Sequence, residues 1–196
     1  MNDKQQRILD TALALFRAHG YRMVGIDRIL AESGVAKMTL YKYFPAKDAL
    51  IRAVLEARDQ DFCQSLAAFV ATFPAPEEKL GAVFLWHEQW FRSDAFNGCM
   101  FINAAAEFPD PGHPARQIVS GHKRRIQGML ADVLAARLDD EESAAHLAAQ
   151  LSLLLDGAII AAQTTANSDA ARLAWHAATT LLHAAGILSS QNLPTA

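Results

Sequence analysis

From end to end, the apolar residues of this 196-residue chain recur at helical intervals, and no stretch alternates apolar with polar residues as a half-buried strand would. That one property restricts the chain to an all-α fold. In the first segment Ile8, Ala12, Leu15 and Phe16 fall on one face, with Leu9 and Leu13 widening the stripe. His19-Gly20 ends it, glycine being the residue that most readily takes the left-handed turn beyond a helix. The same reading predicts helices over about Lys4–Ala18, Ile26–Glu32, Lys37–Tyr43, Lys47–Thr72, Glu77–Arg92, Cys99–Phe108, Ala115–Leu138, Glu141–Ala166 and Ser168–Gly186. Phe44-Pro45, Phe73-Pro74-Ala75-Pro76 and Pro109-Asp110-Pro111-Gly112-His113-Pro114 supply the breaks, and residues 187–196 read as a loose tail.

Composition narrows the class. Hydrophobic residues make up 52% and charged residues 20%, too apolar for a disordered chain. The formal charge of −3 hides an asymmetry: residues 1–50 hold eight Lys or Arg against five acids, a net +3, so the other 146 carry −6. A basic head on an acidic body keeps phosphate affinity local to the head. Cys63 and Cys99 have no CxxC spacing and form no disulfide framework, which fits a reducing cytoplasm. No secretory leader and no uninterrupted apolar run of about 20 residues is read, so a cytoplasmic protein without a membrane span is expected.

Two short segments, Ile26–Glu32 and Lys37–Tyr43, joined by a turn at Gly34, have the spacing of a helix-turn-helix. Ile29, Leu30, Val35 and Leu40 would pack them onto the first helix. A helix of about seven residues cannot repay its own nucleation, so Leu40 and Phe44 must anchor it. Lys37, Thr39, Tyr41, Lys42 and Tyr43 are left for another surface, and cations, hydroxyls and phenols are the groups that meet phosphates and base edges. The run from Ile29 to Leu50 resembles the DNA-binding domain of TetR-family regulators. Gly34, Val35, Thr39, Leu40, Tyr41, Tyr43, Phe44, Lys47 and Leu50 all fall in that family's register.

The resemblance implies a DNA-binding domain over residues 1–46, followed by a helical ligand-sensing and dimerisation domain over 47–196. It implies DNA contacts from Lys37, Thr39, Lys42 and Tyr43, with Tyr41 and Lys47 on phosphate and Arg28 as the one obvious contact of the second helix. Gly25, Ala36 and Ala46 stand where relatives often carry capping Ser, Thr or Asn, and Asp27 would repel a nearby phosphate. It further implies a ligand cavity walled by the middle helices, to which Trp86, Trp90 and Phe101 would belong. The polar residues set among apolar ones, Asn103, Glu107, His122, Asp156 and Gln163, would orient the ligand there. Aromatic residues at helical spacing suit an ordinary core equally well, and that alternative stands.

His87, His113 and His122 show no HxxxH spacing, so no metal and no cofactor is expected. Cys99 reads as a buried thiol rather than a redox switch, and Lys123-Arg124-Arg125 as a solvated helix face. The stripes Leu147, Leu151, Leu154, Ala158, Ala162 and Leu173, Ala174, Ala177, Leu181, Ala184 would bury one face on the chain's own body and another on a second copy. No nucleophile elbow or phosphate loop points to an enzyme. The expected function is a homodimeric regulator, a repressor that binds palindromic double-stranded operator DNA and is released by a small-molecule inducer.

Overall fold

The structure is a computed structural model that describes residues 3–188 of the chain. Among the described residues there are nine helices and no strands: α1 (Asp3–His19), α2 (Ile26–Ser33), α3 (Lys37–Tyr43), α4 (Lys47–Val70), α5 (Pro76–Phe91), α6 (Met100–Glu107), α7 (Pro114–Ala135), α8 (Glu141–Thr165) and α9 (Ala170–Ala184). The all-α expectation holds, and α3 has the expected bounds.

Where the bounds differ, local hydrogen bonds explain it. α4 stops at Val70 because the Thr72 hydroxyl donates to the Phe69 carbonyl at 2.7 Å, competing with the helical pattern. α9 starts two residues later than expected. The Asn167 side chain accepts the Asp169 N–H at 3.0 Å, so residues 167–169 turn instead. At the C-terminal end the loose-tail expectation is corrected for its first two residues. Ile187 and Leu188 are buried, and the Ile187 N–H donates to the Leu182 carbonyl at 2.9 Å. Residues 189–196 of that tail lie outside the described residues.

The chain divides into two compact units, one of Met1–Phe62 with Cys99–His122, the other of Cys63–Gly98 with Lys123–Ala196. In the first, the α1 stripe of Ile8, Leu9, Ala12, Leu15 and Phe16 is buried as its spacing predicts, and α2 and α3 pack on it through Ile29, Val35, Leu40 and Phe44. Gly34 ends α2 in the left-handed region at φ 64, its N–H donating to Leu30. Arg7 of α1 secures the same turn by donating to the Ser33 carbonyl at 2.6 Å. Neither Gly25 nor Ala36 gives a side-chain cap to α2 or α3, so tertiary packing must hold these short helices.

In the second unit α9 packs on α8 and on α5. Asp140 caps α8 by accepting the N–H groups of Glu142 and Ser143. Among the described residues α8, at 25 residues, is the one helix long and apolar enough to cross a membrane. Its face of Leu147, Leu151, Leu155 and Ile159 is buried on its own unit, and its Asp156 is ion-paired to Lys123. One face of α8 is thus core, while Leu153 and Ile160 on another are exposed.

Candidate nucleic-acid interface

The exposed side of α3 follows from its buried side. Leu40 is fully buried and faces α1, with Phe44 just beyond the helix end. At about 100° per residue, Met38 and Lys42 lie on the side opposite Leu40, and Lys37, about 60° from Leu40, and Tyr41, about 100° from it, lead round to them. All four are exposed, while Thr39 and Tyr43 flank the arc half-buried. The Tyr43 ring lies 6.5 Å from that of Phe44, tying its inner edge to the core. Among the described residues neither Lys37 nor Lys42 is held in an ion pair. Two cations, a phenol and a hydroxyl on one solvent-facing surface can neutralise phosphates and reach base edges.

The two other residues expected at DNA are more engaged. Arg28 pairs with Glu32 one turn on, at 2.9 Å, and its guanidinium also lies 2.9 Å from His19 Nε2. Such an exposed pair contributes little and exchanges readily with a phosphate. Lys47 donates to the Arg22 carbonyl at 3.1 Å. Partial burial pushes its ammonium below the usual lysine range, offset in part by Glu107 and Asp48.

The turn that leads into α2 is gripped from within the same unit. Glu107, the last residue of α6, accepts the Tyr21 N–H at 2.9 Å and the Arg22 N–H at 2.7 Å. Tyr21 is buried and its hydroxyl donates to the Met100 carbonyl at 3.0 Å, so both ends of α6 hold this turn. Burial drives the Tyr21 phenol far above its ordinary pKa, and it stays a neutral donor. Gly20 has φ 78, and a Cβ there would stand 2.7 Å from Glu107 Oε1. Glycine is therefore favoured by the backbone conformation, and a Cβ there would also push on the Glu107 carboxylate. Sequence reading placed Glu107 among ligand contacts; nothing local reveals a partner 85 or 86 residues away.

The remaining sensor residues divide between the units. In the first, Phe101 is buried and stacks on His122 at 3.7 Å between centroids, Asn103 is half-buried, and buried His122 bonds Asp59 at 2.8 Å. Cys99 is buried, as expected. In the second, Trp86 and Trp90 lie 5.9 Å apart, and Trp90 meets Phe96 edge-on at 5.0 Å. Trp86 Nε1 donates to Ser65 at 3.3 Å, and His87, buried beside both rings, bonds the Val83 carbonyl at 2.8 Å through Nδ1. Asp156 is ion-paired to Lys123, whereas Arg124 and Arg125 are exposed. Gln163 lies over Gly98, whose φ of 77 and lack of a Cβ leave room for the amide.

Residues 8–54 match the family described as bacterial regulatory proteins, tetR family, and residues 76–178 match the tetracyclin repressor-like C-terminal domain. The chain belongs to the TetR family. It is a DNA-binding transcriptional regulator with an N-terminal helix-turn-helix. It is 30% identical to the HTH-type transcriptional repressor ComR of Escherichia coli over 168 residues, 82% of this chain and 80% of that protein. It is 25% identical to the HTH-type transcriptional regulator YjdC of Escherichia coli, over 80% of this chain and 81% of that one. A TetR-family transcriptional regulator from Streptomyces coelicolor superposes with a TM-score of 0.86 at 33% identity, over 93% of this chain and 90% of that one.

Proposed function

We propose that this TetR-family regulator is a cytoplasmic, ligand-responsive repressor that binds a palindromic operator as a homodimer and is released by a small-molecule inducer. The observation that carries the reading is the solvent-facing arc of α3, where Lys37, Tyr41 and Lys42 stand beside Thr39 on a helix anchored by Leu40. Residues 1–46 would read DNA, with Lys47 and Arg28 giving phosphate contacts, and residues 47–196 would sense and dimerise. A repressor among the similar proteins supports the sign of regulation.

The dimer reading rests on α8 and α9. Leu147, Leu151, Ala158 and Ala162 of the expected α8 stripe are buried in the chain's own core, so the face for a partner is a different one. Leu153 is 73% exposed, Ile160 46% and Leu173 57%. Leu153, Gly157 and Ile160 share one face of α8, and Leu173 and Ala177 one face of α9, so a second copy would cover an apolar surface on both. Trp86 and Trp90 would give an apolar or aromatic inducer flat surfaces, and its preference for one of two states would set the response. An enzymatic reading gains no support: His87 bonds a main-chain carbonyl, Glu107 accepts two main-chain N–H groups and Asp156 is ion-paired.

The test is selection of bound duplex DNA from a random pool with the full-length protein. A recovered palindrome, with two chains per duplex by light scattering, is the expected result. A pool that yields no consensus, or a single half-site, would overturn the operator reading.

A further inference from the structure

Met38 is 82% exposed at the middle of the α3 arc. It stands three residues before Tyr41 and four before Lys42, so its neighbours on the same face are a phenol and a cation. Leu40, two residues on, points to the core instead. A large apolar side chain in water between polar neighbours gains nothing for this chain alone. Covering it requires a surface that meets the two lysines with negative charge and also presents an apolar group. The major groove of duplex DNA does both: phosphates line its edges, and its one apolar group on the base pairs is the C5-methyl of thymine.

We infer that Met38 is a specificity-determining residue that packs its thioether chain on a thymine methyl in each operator half-site. The assignment rests on the operator reading above and deepens it. Lys37 and Lys42 hold the helix at the phosphates, and Met38 supplies what they cannot, a preference for thymine over cytosine or a purine at one position. Its unbranched chain, with three rotatable bonds, can settle against a methyl group without movement of the short α3 backbone. Sequence reading passed over Met38 because it sorted α3 by polarity, and methionine was assigned to neither phosphate nor base edge.

The experiment uses the operator recovered from the random pool and the full-length protein. Each thymine of the half-site is replaced in turn, symmetrically, by deoxyuridine, which removes only the methyl group. The expected result is one thymine whose replacement weakens binding about fourfold per half-site, the factor for losing one buried methyl group. In M38A that penalty should vanish, while M38L, which still offers an apolar surface, should keep part of it. Thermal unfolding of both variants should match the parent, since the side chain is exposed. If every deoxyuridine penalty is the same in M38A as in the parent, or no position shows one, the assignment is wrong although the operator reading survives. If no consensus is recovered, both fall together.

Discussion

Removing the Glu107 carboxylate should loosen the turn that sets where α2 begins, without replacing a residue of the α3 arc. Glu107 accepts main-chain N–H groups from Tyr21 at 2.9 Å and Arg22 at 2.7 Å. A hydrogen bond to a charged group contributes about 1.5–3 kcal/mol where water cannot replace it. The Tyr21 bond is part-buried and should count nearly in full; the Arg22 bond is exposed and should count little. Glu107→Ala should therefore cost about 2–3 kcal/mol, and Glu107→Gln, whose amide keeps one acceptor oxygen, about half of that. Calorimetry at one fixed protein concentration should show unfolding temperatures in the order parent, Gln, Ala. Gly20→Ala supplies the second arm of a cycle. In the parent it brings left-handed strain of about 1–2 kcal/mol and a contact of 2.7 Å with Glu107 Oε1. In the Glu107→Ala background only the strain remains, so its cost should fall. Strictly additive costs, or a Glu107→Ala protein within about 0.5 kcal/mol of the parent, would refute the reasoning.

Other measurements reach the remaining parts of the molecule. Tyr41→Phe should weaken binding to operator and random DNA by the same few-fold factor if, as proposed, its phenol bonds phosphate, a contact that reads no sequence; competition assays on both duplexes check it. Leu153→Glu with Leu173→Glu should give a folded monomer by light scattering and circular dichroism, since both side chains are exposed, at 73% and 57%, in the single chain. A folded dimer would move the interface elsewhere. Ala166 caps α8 at φ 52, so Ala166→Gly should stabilise the protein by about 0.5–1 kcal/mol in thermal unfolding, relief of left-handed strain outweighing the flexibility of glycine.

What the sequence by itself determined is local. The helical period, the stop at Gly20, the turn at Gly34 and the seven residues of α3 are carried by neighbours within four or five positions, where both the hydrogen bonds and the apolar stripe are written. The family register from Ile29 to Leu50 is of the same kind, a contiguous run. Pairings between distant segments leave no such trace. Glu107 reaches Tyr21 across 86 residues and His122 reaches Asp59 across 63, and nothing beside either residue marks its partner. Periodicity could group Leu147, Leu151, Ala158 and Ala162 of α8 on one face, but could not say whether that face or the one with Leu153 meets the chain's own core. Burial in the folded chain separated Leu151, which is fully buried, from Leu153 two residues away, which is 73% exposed. For Met38 the period and the expected burial of Leu40 pointed outward, and the folded chain leaves it 82% exposed. Tertiary structure decided these points because burial depends on which surfaces meet, and a surface is assembled from residues the chain keeps far apart.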